Sequence, residues 1–455
     1  MRGVAGPAAL AALALVSAAL YPMAAPLADR LGWSRLAGHQ IVFGLLFVLY
    51  LAALWLVTRI LPPTRAVLAV VLGAGLLFRV AVLPTPVYLS SDVFRYLWDG
   101  RVQVAGINPY RYPPEAPELE PLRPGTLHPH INRPWARTIY PPAAQWLFVA
   151  SAWLVPMSVL GWRLILLAFE IATTVLLLRL LRGLGVAPPT VLAYLWSPLV
   201  VFEGVQGGHL EVVTVTLVLA ALALRGRGSS LGAGVALGLA VLVKLSPLLL
   251  VAAWHRRRDW RFPATVLVVV ALAYAPYAAT LGTGALGFLP EYLGSAEDFN
   301  IGLRALLTWL LGLAGEGPRA AVMALLFALL GAAVVAIGWR RGPGPAGLWQ
   351  AAGLTAAAHL LLVPTSLHPW YLVWLVPFLC GTDALHPWAR AAWLWFTGAV
   401  TLSYVKYLAW EAPLPWWAWA LEYVPLYALL LVAVWLRRPS RAPAAIAVSG
   451  LTPRR

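Results

Sequence analysis

Three side chains spaced for one helix face, Asp92, Arg95 and Asp99, open a polar segment between two long apolar runs. A carboxylate beside a cation can serve as a general base. The same trio also reads as the salt-bridged face of an interfacial helix. Further along, His209 and Glu211 follow a double glycine, where they can add polar groups to the same cavity or simply start a helix with a favoured carboxylate. Lys244 interrupts Ala240-Val241-Leu242-Val243-Lys244-Leu245-Ser246-Pro247, and a cation in an apolar run marks a functional site unless it snorkels to an interface. No carboxylate near Lys244 in sequence supplies a partner, which leaves an anionic ligand such as a phosphate, or a structural pair with Glu170 or Glu203. His368 precedes Pro369-Trp370-Tyr371, where the aromatic residues suit a membrane interface and the histidine is less expected. Glu170 lies deep in an apolar run with no partner in sequence, while Arg79 and Arg163 are placed near interfaces.

The elements that must carry these groups are membrane helices. The 455 residues are 61% hydrophobic and 11% charged, far from a soluble domain. Net charge +16 comes from short basic clusters between apolar runs, a topology pattern and not a nucleic-acid footprint. The lone cysteine, Cys380, excludes an intrachain disulfide and any cysteine-based metal motif. With about 20 apolar residues needed per crossing, the runs predict an all-α polytopic bundle of roughly 11–14 membrane helices. The first run, from Ala8, is read as an uncleaved span and not a signal peptide. Residues 1–437 then form one integral membrane domain, and 438–455 a short, disordered cytoplasmic tail.

Orientation follows from the arginines. Placing Arg179/Arg182, Arg225/Arg227, Arg256-Arg257-Arg258, Arg340-Arg341 and Arg437-Arg438 inside puts the 85–142 loop on the extracytoplasmic face of the plasma (inner) membrane. Two parity conflicts then need resolving. Residues 143–158, with Gln145, Trp146 and Trp153, become an interfacial helix, and the run 230–254 turns back within the membrane near Lys244-Leu245-Ser246-Pro247. The outer face then gathers the Asp92 loop, the turn Phe202 to Glu211, the stretch with Glu291, Glu297, Asp298 and Asn300, the turn Thr365 to Tyr371, and Lys406 with Glu411. Of only 17 acidic residues, Asp92, Asp99, Glu115, Glu118 and Glu120 fall in the one loop, so chemistry belongs there.

Ser91-Asp92-Val93-Phe94-Arg95-Tyr96-Leu97-Trp98-Asp99-Gly100, Gly106-Ile107-Asn108-Pro109-Tyr110 and Tyr140-Pro141-Pro142 together resemble the polytopic glycosyltransferases of the GT-C superfamily, and within it the bacterial polyprenyl-phosphate-mannose-dependent mannosyltransferases. Gly208-His209-Leu210-Glu211, Lys244-Leu245-Ser246-Pro247 and His368-Pro369-Trp370-Tyr371 are similar to later elements of that pattern, and the resemblance covers about residues 60–400. Many relatives carry His-Asn-Asp or His-Asp where this chain has His209-Leu210-Glu211. Two spans precede the Asp loop where the superfamily core has one. The resemblance implies an inverting transferase that moves a sugar, with mannose first, from a polyprenyl-phosphate donor to a lipid or glycan acceptor. Asp92 is then the base, and Lys244, His368, Arg95 and Arg101 hold the donor phosphate. Asp99, Asn108, Tyr110, Tyr140, His209, Glu211, Trp370 and Tyr371 support the site or the substrate. No cofactor is implied, no metal-ligand set is evident, and the partners are the lipid donor, the acceptor and membrane lipid, not nucleic acid. The competing readings are a lipid or polysaccharide transporter or flippase, which predicts internal repeats and midplane charges, and a non-catalytic scaffold. They differ in whether Asp92, Lys244 and His368 meet in one cavity.

Overall fold

The computed structural model describes residues 2–294, 299–312, 316–362, 366–381, 385–410 and 412–436. Glu297, Asp298, Thr365, Glu411, Arg437, Arg438 and the tail lie outside these residues. Among the described residues every regular element is helical. The chain is a polytopic helical membrane protein.

Among the described residues seven helices are long and apolar enough to cross a bilayer: Gly6–Leu31, Arg35–Ile60, Arg65–Val82, Val159–Gly183, Arg261–Gly294, Arg319–Arg340 and Trp416–Trp435. The pair Pro198–Gln206 and Glu211–Gly226 passes the same test together and is bent by 111° at its break, as a broken span or a re-entrant loop is. The sequence count of 11–14 took each apolar run as a crossing. The structure divides several of those runs into short pieces, and proline explains why. Pro188, Pro198, Pro247, Pro369 and Pro387 each sit in the first turn of a new short helix. A proline has no N–H to continue the preceding helix but fits a first turn well.

The run containing Lys244 is one such piece. Helix Ser230–Val241 ends at Leu242, a 3-10 turn occupies Ser246–Leu248, and Leu249–Trp254 follows. Ser230 and Trp254 both contact Arg225: its Nη1 donates to Ser230 Oγ at 2.9 Å and its Nη2 to the Trp254 carbonyl at 3.2 Å. The segment therefore leaves and returns to the same end of the bundle, with Lys244 at the far tip. The break exposes the Leu242 carbonyl, which accepts the Ala143 and Ala144 N–H groups at 3.0 and 3.2 Å. These are N–H groups in the first turn of helix Pro142–Leu154, donors without an intrahelical partner. At 13 residues that helix is too short to cross, and its Trp146 and Trp153 are exposed as an interfacial helix requires. Gln145 departs from that reading: it is fully buried against the loop.

Buried charges lock the spans that flank the loop. Glu170 finds its partner across the bundle in Arg79, whose Nε and Nη2 donate to Glu170 Oε2 at 3.0 and 2.8 Å. Arg79 Nη1 also donates to the Gly75 and Leu195 carbonyls. Arg163 donates to the Leu83, Thr85 and Gln206 carbonyls, tying the exit of Arg65–Val82 to the bent crossing. Both arginines are 2% exposed, and each lies close to an end of its helix. Removing one partner of a buried pair strands the other's charge. Glu170→Gln is expected to destabilise the fold by about 3–5 kcal/mol, whereas Arg79→Met with Glu170→Leu should restore much of that loss. Thermal unfolding in detergent reads both, and an unchanged midpoint in Glu170→Gln would reject the pair as a stabilising lock.

Candidate functional site

The loop helix Asp92–Val104 rests on Pro142–Leu154 with no space between backbones: a Cβ at Gly100 would meet the Phe148 carbonyl oxygen at 2.3 Å. From Ala105 to Pro141 the chain carries a proline every few residues, so it forms 3-10 turns at Pro117–Leu122 and His128–His130 and otherwise runs irregularly. Its own polar groups order it. Arg123 donates to the Pro114 and Ala116 carbonyls, and Trp98 meets the His128 ring edge-on.

Asp99 is the loop's internal anchor. It accepts from Arg95 Nε at 2.8 Å, Thr138 Oγ1 at 2.6 Å and Gln145 Nε2 at 3.1 Å, and is 2% exposed. Arg95 is thereby committed one turn along its own helix, and its Nη1 to the Ala136 carbonyl. It is Asp99, not Asp92, that holds this cation. Asp92 instead accepts from Asn132 Nδ2 at 2.7 Å and lies 3.4 Å from the Tyr140 hydroxyl. It occupies the first turn of its helix, where the positive helix end favours a carboxylate.

A cavity of about 1080 Å³ opens in front of Asp92. Arg95, Tyr140, Glu211, Lys244, His368, Trp370 and Tyr371 share its wall with Asp92. Away from these groups the wall is apolar, with Leu248, Leu249, Phe327, Leu330 and Gly331. Trp135 on the loop and Leu248 on the bundle's flank are both more than half exposed, so the cavity reaches the surface on a polar and an apolar side.

Lys244 is not left without a carboxylate. Its Nζ lies 2.7 Å from Glu211 Oε1 and 4.9 Å from the centre of the Tyr371 ring. Glu170 and Glu203, the partners considered from sequence, are engaged elsewhere, with Arg79 and with Tyr404 and His209. His209 does not line the cavity but stands directly behind it. Its Nδ1 lies 2.8 Å from the Glu203 carbonyl and 3.3 Å from Glu203 Oε2. The rings of His209, Trp370, His368 and Phe299 stack in succession with centroids 4.2 to 4.4 Å apart.

Five expected site residues fall outside the cavity: Asp99 and His209, placed above, and Arg101, Asn108 and Tyr110. Arg101 donates Nε to the Leu122 carbonyl at 2.8 Å and braces the loop. Asn108 bonds Thr280, and the Tyr110 hydroxyl donates to the Tyr140 carbonyl, fixing the loop against helix Arg261–Leu281. Conversely, sequence reading missed Asn132 and the wall residues Trp135, Tyr292 and Phe288. Asn132 sits between two unremarkable residues and only the fold brings it to Asp92. Among the described residues no group of three or more His, Cys, Asp and Glu is placed to hold a metal.

A family model described as alpha-(1->6)-mannopyranosyltransferase, N-terminal domain (the MptA_B family) matches residues 1–257. The chain belongs to this family. The matched part carries Asp92, Asn132, Tyr140, Glu211 and Lys244, while His368 and Trp370 lie beyond it. The chain is also similar to alpha-(1->6)-mannopyranosyltransferase A of Mycobacterium tuberculosis (strain ATCC 25618 / H37Rv), 27% identical over 241 residues, which are 48% of this chain and 45% of the relative. The match thus spans about half the length of this curated relative. No solved structure matches.

Burial alone would raise the Asp92 carboxyl, but the field of His209, the Asn132 hydrogen bond, Lys244 and His368 outweigh it and hold the group below its usual range. A carboxyl lowered in the folded state contributes stability above its unfolded pKa near ~4, and that contribution is lost as pH falls through the lower folded value. Asp92→Asn should therefore melt below wild type at neutral pH, with the deficit closing as pH drops below about 4. Melting curves across pH check this, and a deficit that persists unchanged into acid would contradict it.

Proposed function

We propose that this chain is an inverting mannosyltransferase that draws mannose from a polyprenyl-phosphate donor and passes it to a hydroxyl of a lipid or glycan acceptor on the extracytoplasmic face of the plasma membrane. The observation that carries the reading is the joint presence, on one cavity wall, of an ionised carboxylate at Asp92 and an ammonium at Lys244, with apolar walls leading to the flank. Family membership supports mannosyl transfer as the chemistry.

In this reading the acceptor hydroxyl lies against Asp92. As its oxygen attacks the mannose anomeric carbon, its proton passes to the Asp92 carboxylate. The bond from that carbon to the phosphate oxygen breaks on the opposite side, and configuration inverts. The leaving polyprenyl phosphate needs cations more than a proton, and Lys244 with His368 supplies them. Tyr140 and Asn132 fix the Asp92 carboxylate, Asp99 and Arg95 stiffen the helix below it, and Trp370 and Tyr371 form the floor. The lipid chain runs along the Leu248, Phe327 and Gly331 side.

Asp92→Asn should lower transfer at least ~100-fold, since a positioned base contributes about 10²–10⁴, while binding of donor stays close to wild type. Purified protein with a panel of polyprenyl-phosphate sugars measures it, and residual transfer above about a tenth of wild type would remove Asp92 as base. Orientation has its own check. Cys380 is fully buried, and in a Cys380→Ala background a cysteine replacing exposed Glu118 should react with an impermeant reagent added outside intact cells. Reaction only after lysis would reverse the topology and exclude this donor.

A further inference from the structure

We infer that Glu211 is an internal counter-anion whose task is to loosen the grip of Lys244 on the spent lipid phosphate, so that product leaves the site. The inference deepens the proposed mannosyl transfer and rests on that reading. Glu211 lies in the first turn of helix Glu211–Gly226, immediately after the 111° bend, and is 4% exposed. Its carboxylate is fixed by the helix and favoured by the helix's positive end. Lys244 stands three residues past the end of Ser230–Val241, outside any regular helix, with its side chain 22% exposed to the cavity. The carboxylate is the anchored partner and the ammonium the one free to swing. Glu211 Oε1 holds Lys244 at 2.7 Å, while Glu211 Oε2 is buried and makes no hydrogen bond among the described residues. A carboxylate that were only a structural partner would have that second oxygen satisfied as well.

The charges of substrate and product give this pair a purpose. The donor is a phosphodiester with one negative charge. Transfer breaks the bond between the anomeric carbon and the phosphate oxygen, and leaves a monoester whose charge at neutral pH approaches two. The Lys244 ammonium, on a wall it shares with Arg133, Arg137 and His368, would hold the product more tightly than the donor and stall turnover. A fixed carboxylate beside the ammonium repels both, and repels the doubly charged product about twice as strongly. In the empty site the same carboxylate keeps the ammonium compensated.

The test uses Glu211→Gln in the full-length protein. Inhibition by a soluble short polyprenyl phosphate, farnesyl phosphate, is measured beside KM for the mannosylated donor. Removing the repulsion should lower the inhibition constant about tenfold and KM only about threefold, because halving the charge halves the energy. Turnover at high substrate should become limited by product. In a Lys244→Met background the same substitution should still tighten farnesyl phosphate binding, followed by tryptophan fluorescence, because the repulsion acts on the phosphate itself. Glu211→Asp, which keeps the charge but draws it back, should lower the inhibition constant more than KM by smaller factors than Glu211→Gln, and it carries the test if the glutamine variant does not fold. Equal effects on inhibitor and donor, or weaker binding of both, overturn the inference. If Lys244→Met itself leaves farnesyl phosphate binding unchanged, the phosphate reading of the site fails instead.

Discussion

Charge inside an apolar bundle must be compensated inside the bundle, because no water reaches it. Among the described residues three ion pairs meet that constraint around the loop and the cavity, and the candidate site is arranged around them. Arg79–Glu170 closes the spans beneath the loop. Arg95–Asp99 closes the loop on itself. Lys244–Glu211 joins the tip of the re-entrant segment to the bent crossing. The first two are sealed, with side chains at most 6% exposed. In the third the lysine faces the cavity. A rigid frame thus delivers the Lys244 ammonium to a space that a ligand can enter, on a wall it shares with Arg133, Arg137 and His368.

Around that cation the site is built from helix ends. Asp92 and Glu211 each occupy the first turn of a helix, and Lys244 follows the last turn of another. Each charge therefore lies where the backbone dipole favours its sign. Behind them, the stacked rings of His209, Trp370, His368 and Phe299 run from the bent crossing to the far turn. This column, beside the Leu367 N–H bond to the Asn300 carbonyl at 2.8 Å, keeps His368 at the same wall as Lys244. The loop contributes differently. Its prolines deny it regular structure, and Asp99, Gln145 and Thr138 replace that structure with a side-chain network.

Much of this was legible before folding was considered. Apolar runs gave the helical membrane class. The break after Lys244 could be read from Ser246-Pro247 and from the arginines at both ends of its run, and Arg225 gathers those ends as that reading requires. The short helix after Pro142 was legible from parity and its tryptophans. The pairings were not. Local spacing offered Arg95 equally to Asp92 and Asp99, and the choice was made by Thr138 and Gln145, brought in from 39 and 46 residues away. Lys244 and Glu211 are 33 positions apart, on two segments whose approach depends on the bend at Gly207 and Gly208. Asn132 carries no pattern at all. The helix count differed because hydropathy records apolarity, while proline decides whether an apolar run stays one helix.

The bend that carries His209 and Glu211 shows how local rules and function meet. A continuous helix from Pro198 to Gly226 would bury all its N–H groups in its own ladder and present no helix start to the cavity. The chain breaks it with Gly208 at φ 76°, a conformation most residues resist. That angle brings the Gly208 carbonyl to Trp162 Nε1 at 2.8 Å, so the freed acceptor is satisfied. A new helix then begins at Glu211, with its positive end directed at the site. A side chain at Gly208 would press on the Trp162 ring, with a Cβ 3.2 Å from Cδ1, as well as strain the backbone. The glycine pair thus serves the ion pair at one remove: the bend at Gly208 starts the helix that carries Glu211 to Lys244.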